Sequence, residues 1–113
     1  MITLWHNPRC SKSRAALKLL TDAGAELTEF RYLDTPPTES DLRTLLEKLN
    51  ITPFALLRKG ERTARELGLN PDMPDGDLIT AMAANPILIE RPIAVTKDRA
   101  TIGRPPENVL TLL

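Results

Sequence analysis

The chain has 113 residues, enough for one hydrophobic core and too few for two, so a single domain over residues 1–113 is expected. Fifteen basic residues balance fifteen acidic ones, so no overall field draws the protein to nucleic acid or a membrane, and any electrostatic function must be local. One cysteine excludes an internal disulfide and a multi-cysteine metal site. It also suits a reducing compartment, and with no signal-peptide pattern or apolar span the expected location is cytoplasmic.

Residues 2–5 are β-rich, and Asn7-Pro8 stops them. From Ser11 the pattern becomes helical, with Ala15, Ala16, Leu17, Leu19, Leu20 and Ala23 as an apolar stripe that ends at Gly24. Leu27–Leu33 alternates as a second strand, and Asp34-Thr35-Pro36-Pro37 turns the chain. Thr38 then caps a helix, with Asp41 completing an acidic capping box and Leu42, Leu45, Leu46 and Leu49 facing the core.

The stretch at about 51–86 reads as a helical insertion. It has short helical pieces from Thr52-Pro53 to Leu57 and over Arg62–Leu67, then a clearer helix from Asp75 to Ala84 stopped by Asn85-Pro86. Strand character returns at Ile93–Thr96, Lys97-Asp98 reads as a hairpin turn, and Arg99–Ile102 pairs back. Pro105-Pro106-Glu107 starts a terminal helix that buries Val109, Leu110 and Leu113. The order β-α-β-α, helical insertion, β-β-α predicts an α/β fold with a right-handed crossover. It is the layout of a thioredoxin-like sandwich with a mixed sheet. In such a fold a proline opening the third strand faces the start of the first helix, often in the cis form, and Pro92 is the candidate.

Cys10 sits at the junction of the first strand, its turn and the first helix. There it meets N–H groups with no intrahelical partner, the positive end of a helix dipole, and the cations Arg9, Lys12 and Arg14, with His6 upstream. A free thiol with a pKa near ~8.5 is about 3% ionised at pH 7, whereas one at ~6.5 is roughly three-quarters thiolate. That shift needs about 2.7 kcal/mol of preferential anion stabilisation, within reach of a helix dipole and nearby cations. Cys10 is therefore read as a nucleophile poised to meet an oxyanion.

Ser13, three residues on, replaces the second cysteine that could resolve a mixed disulfide, so an external thiol must finish any redox cycle. Its hydroxyl can donate to the thiolate. His6 is either a structural histidine or a charge partner and proton donor near the sulfur. One histidine and one cysteine without clustered carboxylates make a poor metal site. Arg58, Arg91 and Arg104 stand beside special backbone positions, and guanidinium forks match tetrahedral oxyanions. Of these, Arg91 is the most informative, because it precedes Pro92.

The stretches His6–Arg14, Ala55–Lys59, Asn85–Ile93 and Gly103–Glu107 resemble, in matching order along nearly the whole chain, the glutaredoxin-linked arsenate reductases of the ArsC family. Ile102–Glu107 and the short C-terminus look most like the YfgD-type branch. The resemblance implies that Cys10 attacks arsenate, that glutathione as co-substrate attacks the arsenylated cysteine, and that glutaredoxin completes reduction to arsenite. No bound cofactor is implied, and a monomer is expected. It further implies that Arg58, Arg91 and Arg104 form an arginine triad around the oxyanion, that His6 lowers the cysteine pKa, and that Ser13 hydrogen-bonds the thiolate. Arg14 falls inside the same motif. One alternative is a glutathione-linked thiol oxidoreductase with another substrate. A second is a non-catalytic, Spx-like binding and regulatory protein, although Spx relatives usually carry the Cys-x-x-Cys pair that Ser13 breaks.

Overall fold

In the computed structural model, which describes all 113 residues, strand β1 (Ile2–Trp5) lies parallel to β2 (Leu27–Phe30), and helix α1 (Ser11–Asp22) connects them. β3 (Ile93–Val95) runs antiparallel to β1, and β4 (Ala100–Ile102) antiparallel to β3. The resulting four-stranded mixed sheet has the order β2-β1-β3-β4, the α/β thioredoxin-like arrangement expected from the element order. β1 is thus an inner strand, and its C-terminal end delivers the chain to Cys10.

Contacts divide the chain into two compact units: Met1–Thr35 with Arg91–Leu113, and Pro36–Glu90. In the sheet unit, Ile2 and Leu4 of β1, two residues apart on one face, pack with Ala16 and Leu20 of α1 and Ala94 of β3. Val109 and Leu112 of the C-terminal segment complete the cluster. Burying a leucine of this kind contributes about 1.5–3 kcal/mol. α1 ends at Gly24, whose φ of +76° suits glycine, while Ala25 N–H bonds back to the Leu20 carbonyl at 3.1 Å.

Three details differ from the pattern read in the sequence. β2 stops at Phe30 rather than running to Leu33. Its partner β1 turns away after Trp5, and the last rung is His6 N–H to the Phe30 carbonyl at 2.9 Å. Tyr32 is nevertheless fully buried, its ring 6.2 Å from Trp5, which also meets Phe30 edge-on at 4.9 Å. The terminal element is a 3-10 helix, Pro106–Leu112, and it buries Val109 and Leu112 while Leu113 stays exposed. At three residues per turn, positions 109 and 112 stack on one side and 113 does not. On α1 the inward residues are Ser13, Ala16 and Leu20, with Ala15 exposed, so a serine takes the place nearest the helix start. The Arg91–Pro92 bond, the candidate read in the sequence, is cis, and Arg104–Pro105 is cis as well.

The helical unit holds α2 (Glu39–Leu49), α3 (Pro53–Leu56), α4 (Arg62–Glu66) and α5 (Asp75–Ala84), followed by a 3-10 turn at Pro86–Leu88. The capping box forms: Asp41 N–H donates to Thr38 Oγ1 and Thr38 N–H to Asp41 Oδ2, both at 3.0 Å. α2 closes on Asn50 in the left-handed conformation, φ 54°, and buries Leu42, Leu45 and Leu46, packing beside α5. No helix of the chain is long and apolar enough to cross a membrane.

Candidate active site at the start of the first helix

The turn that presents Cys10 is built from Asn7. Its side-chain Oδ1 accepts Arg9 N–H at 3.0 Å, and its carbonyl accepts Cys10 N–H at 3.0 Å. This is an Asx-type turn, for which Asn followed by Pro is the sequence signal. Cys10 keeps an extended backbone (φ −91°, ψ 123°) while its carbonyl accepts Arg14 N–H at 3.0 Å, so it is the residue before the first helical turn. Arg14 Nη1 donates to the Pro8 carbonyl at 2.9 Å, which ties α1 back to the turn.

Cys10 is half-buried. Burial pushes its pKa up, but the Ser13 backbone N–H, a hydrogen bond from the Arg91 side chain, the Lys12 backbone N–H and the Arg91 charge oppose this. Together they hold the thiol below the ordinary cysteine range. The donors are the helix-start N–H groups that lack intrahelical partners, plus one cation brought from the cis-proline loop. Arg104 Nε donates to the Arg91 carbonyl at 2.8 Å, and Gly103 N–H donates to the Pro92 carbonyl at 2.8 Å. Arg91 thus reaches the sulfur from a loop held by the chain after β4.

His6 and Ser13 meet, but not at the sulfur. His6 is 3% exposed, and its Nδ1 lies 2.6 Å from Ser13 Oγ. The same oxygen accepts Asn7 N–H at 3.0 Å. Burial lowers the His6 pKa, Glu29 raises it, and Arg31 and Arg14 lower it, with a net shift below the ordinary imidazole value. Burial of the ring thus works against a cation at His6. Ser13 serves the sulfur through its backbone N–H, while its hydroxyl is engaged with His6 and Asn7.

Arg58 belongs to the helical unit. Its Nε bonds Glu61 Oε1 at 3.2 Å and its Nη1 bonds Glu90 Oε1 at 2.9 Å. Its backbone N–H donates to the Leu88 carbonyl at 2.7 Å, and Glu90 N–H to the Leu56 carbonyl at 2.9 Å. The side chains read in the sequence as site residues are thus grouped as follows. Cys10, His6, Ser13, Arg14, Arg91 and Arg104 share the sheet unit, and Arg58 sits in a carboxylate cage of the other. Asn7, Glu29, Glu61 and Glu90 were not singled out by sequence, although Asn7 carried a turn signal. No group of three or more His, Cys, Asp or Glu side chains could hold a metal ion.

A family model described as ArsC family matches residues 5–112. The chain belongs to the ArsC family. It is 43% identical over 114 residues to an arsenate reductase of Neisseria meningitidis serogroup A, spanning 99% of this chain and 97% of that protein. An arsenate reductase of Escherichia coli K12 is 44% identical over 113 residues, spanning 99% of this chain and 80% of that protein. The solved structure of an arsenate reductase from Vibrio cholerae superposes with a TM-score of 0.95 at 41% identity, covering 99% of this chain and 97% of that one. The thioredoxin-like fold is thus the fold of its ArsC relatives.

Proposed function

We propose that the protein is an arsenate reductase with Cys10 as nucleophile and with glutathione and glutaredoxin as electron donors. The observation that carries this reading is the set of donors converging on Cys10: the Ser13 and Lys12 backbone N–H groups and the Arg91 guanidinium. They favour the thiolate, and the same positive ends suit an incoming tetrahedral oxyanion.

The thiolate attacks arsenic(V), an arsenate oxygen leaves as water, and a Cys10–arsenate adduct forms. The two electrons that take arsenic(V) to arsenic(III) must then come from two thiols outside the chain, because Ser13 stands where a resolving cysteine would be. Glutathione supplies one by attacking the arsenic of the adduct and displacing a second oxygen as water. The glutaredoxin thiol supplies the other by attacking the glutathione sulfur, which forms a mixed disulfide and leaves the As–S bonding pair on arsenic; water then hydrolyses the remaining Cys10–arsenic(III) bond, returning the thiol and releasing arsenite. Arg91 and Arg104 are assigned to the oxyanion. Arg14 holds the turn through Pro8.

Arsenate-dependent NADPH oxidation, with glutathione, glutaredoxin and glutathione reductase supplied, tests the assignment. Turnover is expected from the wild type and none from Cys10→Ser. Equal rates in the two proteins would overturn it.

A further inference from the structure

His6, Ser13, Asn7 and Glu29 define a proton arrangement that the assigned chemistry does not use. Glu29 is the register partner of Leu4, whose face α1 covers. Glu29 therefore lies on the same side of the sheet as α1, and His6 and Arg31, just beyond the two strand ends, come within ion-pair distance of it. Glu29 Oε1 stands 3.9 Å from His6 Nε2 and 3.5 Å from Arg31 Nη2. At 3.9 Å the carboxylate acts on the ring electrostatically rather than through a direct hydrogen bond.

Proton counting around Ser13 leaves two arrangements. Asn7 N–H donates to Ser13 Oγ, and Oγ is 2.6 Å from His6 Nδ1. In the first arrangement Nδ1 is bare and accepts the Ser13 O–H, and the ring proton sits on Nε2, facing Glu29. In the second, Nδ1–H donates to Oγ, the Ser13 proton must go elsewhere, and the Nε2 lone pair faces the Glu29 carboxylate. A carboxylate opposite a lone pair is repulsive, whereas opposite an N–H it is attractive. The charged groups facing the ring are Glu29, Arg31 and Arg14, and Glu29 is the one anion among them.

We propose that Glu29 is a positioning residue of the Cys10 turn: it selects the Nε2-protonated tautomer of His6 and so commits the Ser13 hydroxyl proton to the imidazole. The Ser13 oxygen is then filled by one N–H accepted and one O–H donated. It fixes Asn7, and through the Asn7 carbonyl it fixes the Cys10 N–H. The thiolate is left to the backbone and Arg91.

Glu29 matters to the reaction only if Cys10 is the reactive centre as read above, but its test needs no substrate, so failure of either reading is a separate result. The single histidine gives one imidazole signal set in a long-range 1H–15N spectrum, recorded at about pH 7.5, above the ordinary imidazole pKa. The wild type is expected to show a neutral ring protonated at Nε2. Glu29 is 37% exposed on an edge strand, so Glu29→Gln and Glu29→Leu should fold, and the amide spectrum reports whether they do. In both variants population is expected to move to the Nδ1-protonated ring. A wild-type ring protonated at Nδ1 or at both nitrogens would overturn the proposal. So would an Nε2–H ring that persists unchanged in both variants.

Discussion

Arg104 Nε donates to the backbone carbonyl of Arg91 at 2.8 Å, and Arg91 in turn hydrogen-bonds the Cys10 sulfur. One arginine thus holds the backbone of another whose charge stabilises the thiolate. Two separate stretches of sequence converge on a third through a single carbonyl.

Removing the second member of that chain should be felt most. Arg91→Ala is expected to move the pH inflection of Cys10 alkylation by iodoacetamide upward and to lower arsenate turnover by about 10²-fold, the scale of losing one preorganised charge-stabilising donor. Arg104→Ala should move the inflection in the same direction by less. Arg62→Ala should leave both readouts alone, since Arg62 is solvent-exposed and paired only along α4 with Glu66 at 2.8 Å. Equal behaviour of Arg91→Ala and Arg62→Ala would refute the role given to Arg91.

Gly103 is confined by its neighbours rather than by its backbone angles. A Cβ there would stand 2.7 Å from Pro92 Cγ and 3.1 Å from Val109 Cγ1. Gly103→Ala should therefore cost about 1–3 kcal/mol in urea unfolding, the range for overpacking a filled site, and should disturb alkylation of Cys10 by shifting the loop that carries Arg91. Gly24→Ala meets nothing within 4 Å but must adopt φ +76°, so it should cost about 1 kcal/mol and leave Cys10 untouched.

The pH dependence of stability carries two signatures of the same sign. His6 has a lowered pKa in the folded protein, so below the ordinary imidazole value of about 6.5 the unfolded chain binds more protons. Stability from burying the neutral ring is full above that value and is lost as pH falls through the folded one. Cys10 is also lowered, so its contribution is full above the ordinary thiol value of about 8.5 and is lost as pH falls through its folded pKa. The stability difference between wild type and Cys10→Ser should accordingly grow with rising pH across that upper window. Denaturation midpoints measured from about pH 5 to 9 test both; a difference independent of pH would remove the thiolate claim.

Thr38→Ala deletes one bond of the capping box that starts α2. A loss of about 1 kcal/mol is expected, with no change in the alkylation profile of Cys10. Stability and thiol reactivity should separate cleanly in this variant.

The sequence by itself determined the elements and their order, because periodicity, capping residues and Gly or Pro stops are local signals. Thr38 with Asp41, Gly24 after α1, and Cys10 at the helix start could all be read without a partner in view. The helix-start setting of Cys10 was legible for the same reason: the Ser13 and Lys12 N–H groups that lower its pKa come from its own next residues. Where a strand ends depends on its neighbour, so β2 stops at Phe30 with the end of β1, although the alternation runs on to Leu33. Only the tertiary structure decided which side chains meet. It put the Ser13 hydroxyl on His6 and Asn7 instead of on the sulfur, held Arg58 between Glu61 and Glu90, and set Glu29 opposite His6. Hydrogen bonds and ion pairs are decided within a few ångströms, and residues far apart along the chain acquire such distances only when strands and loops are laid side by side.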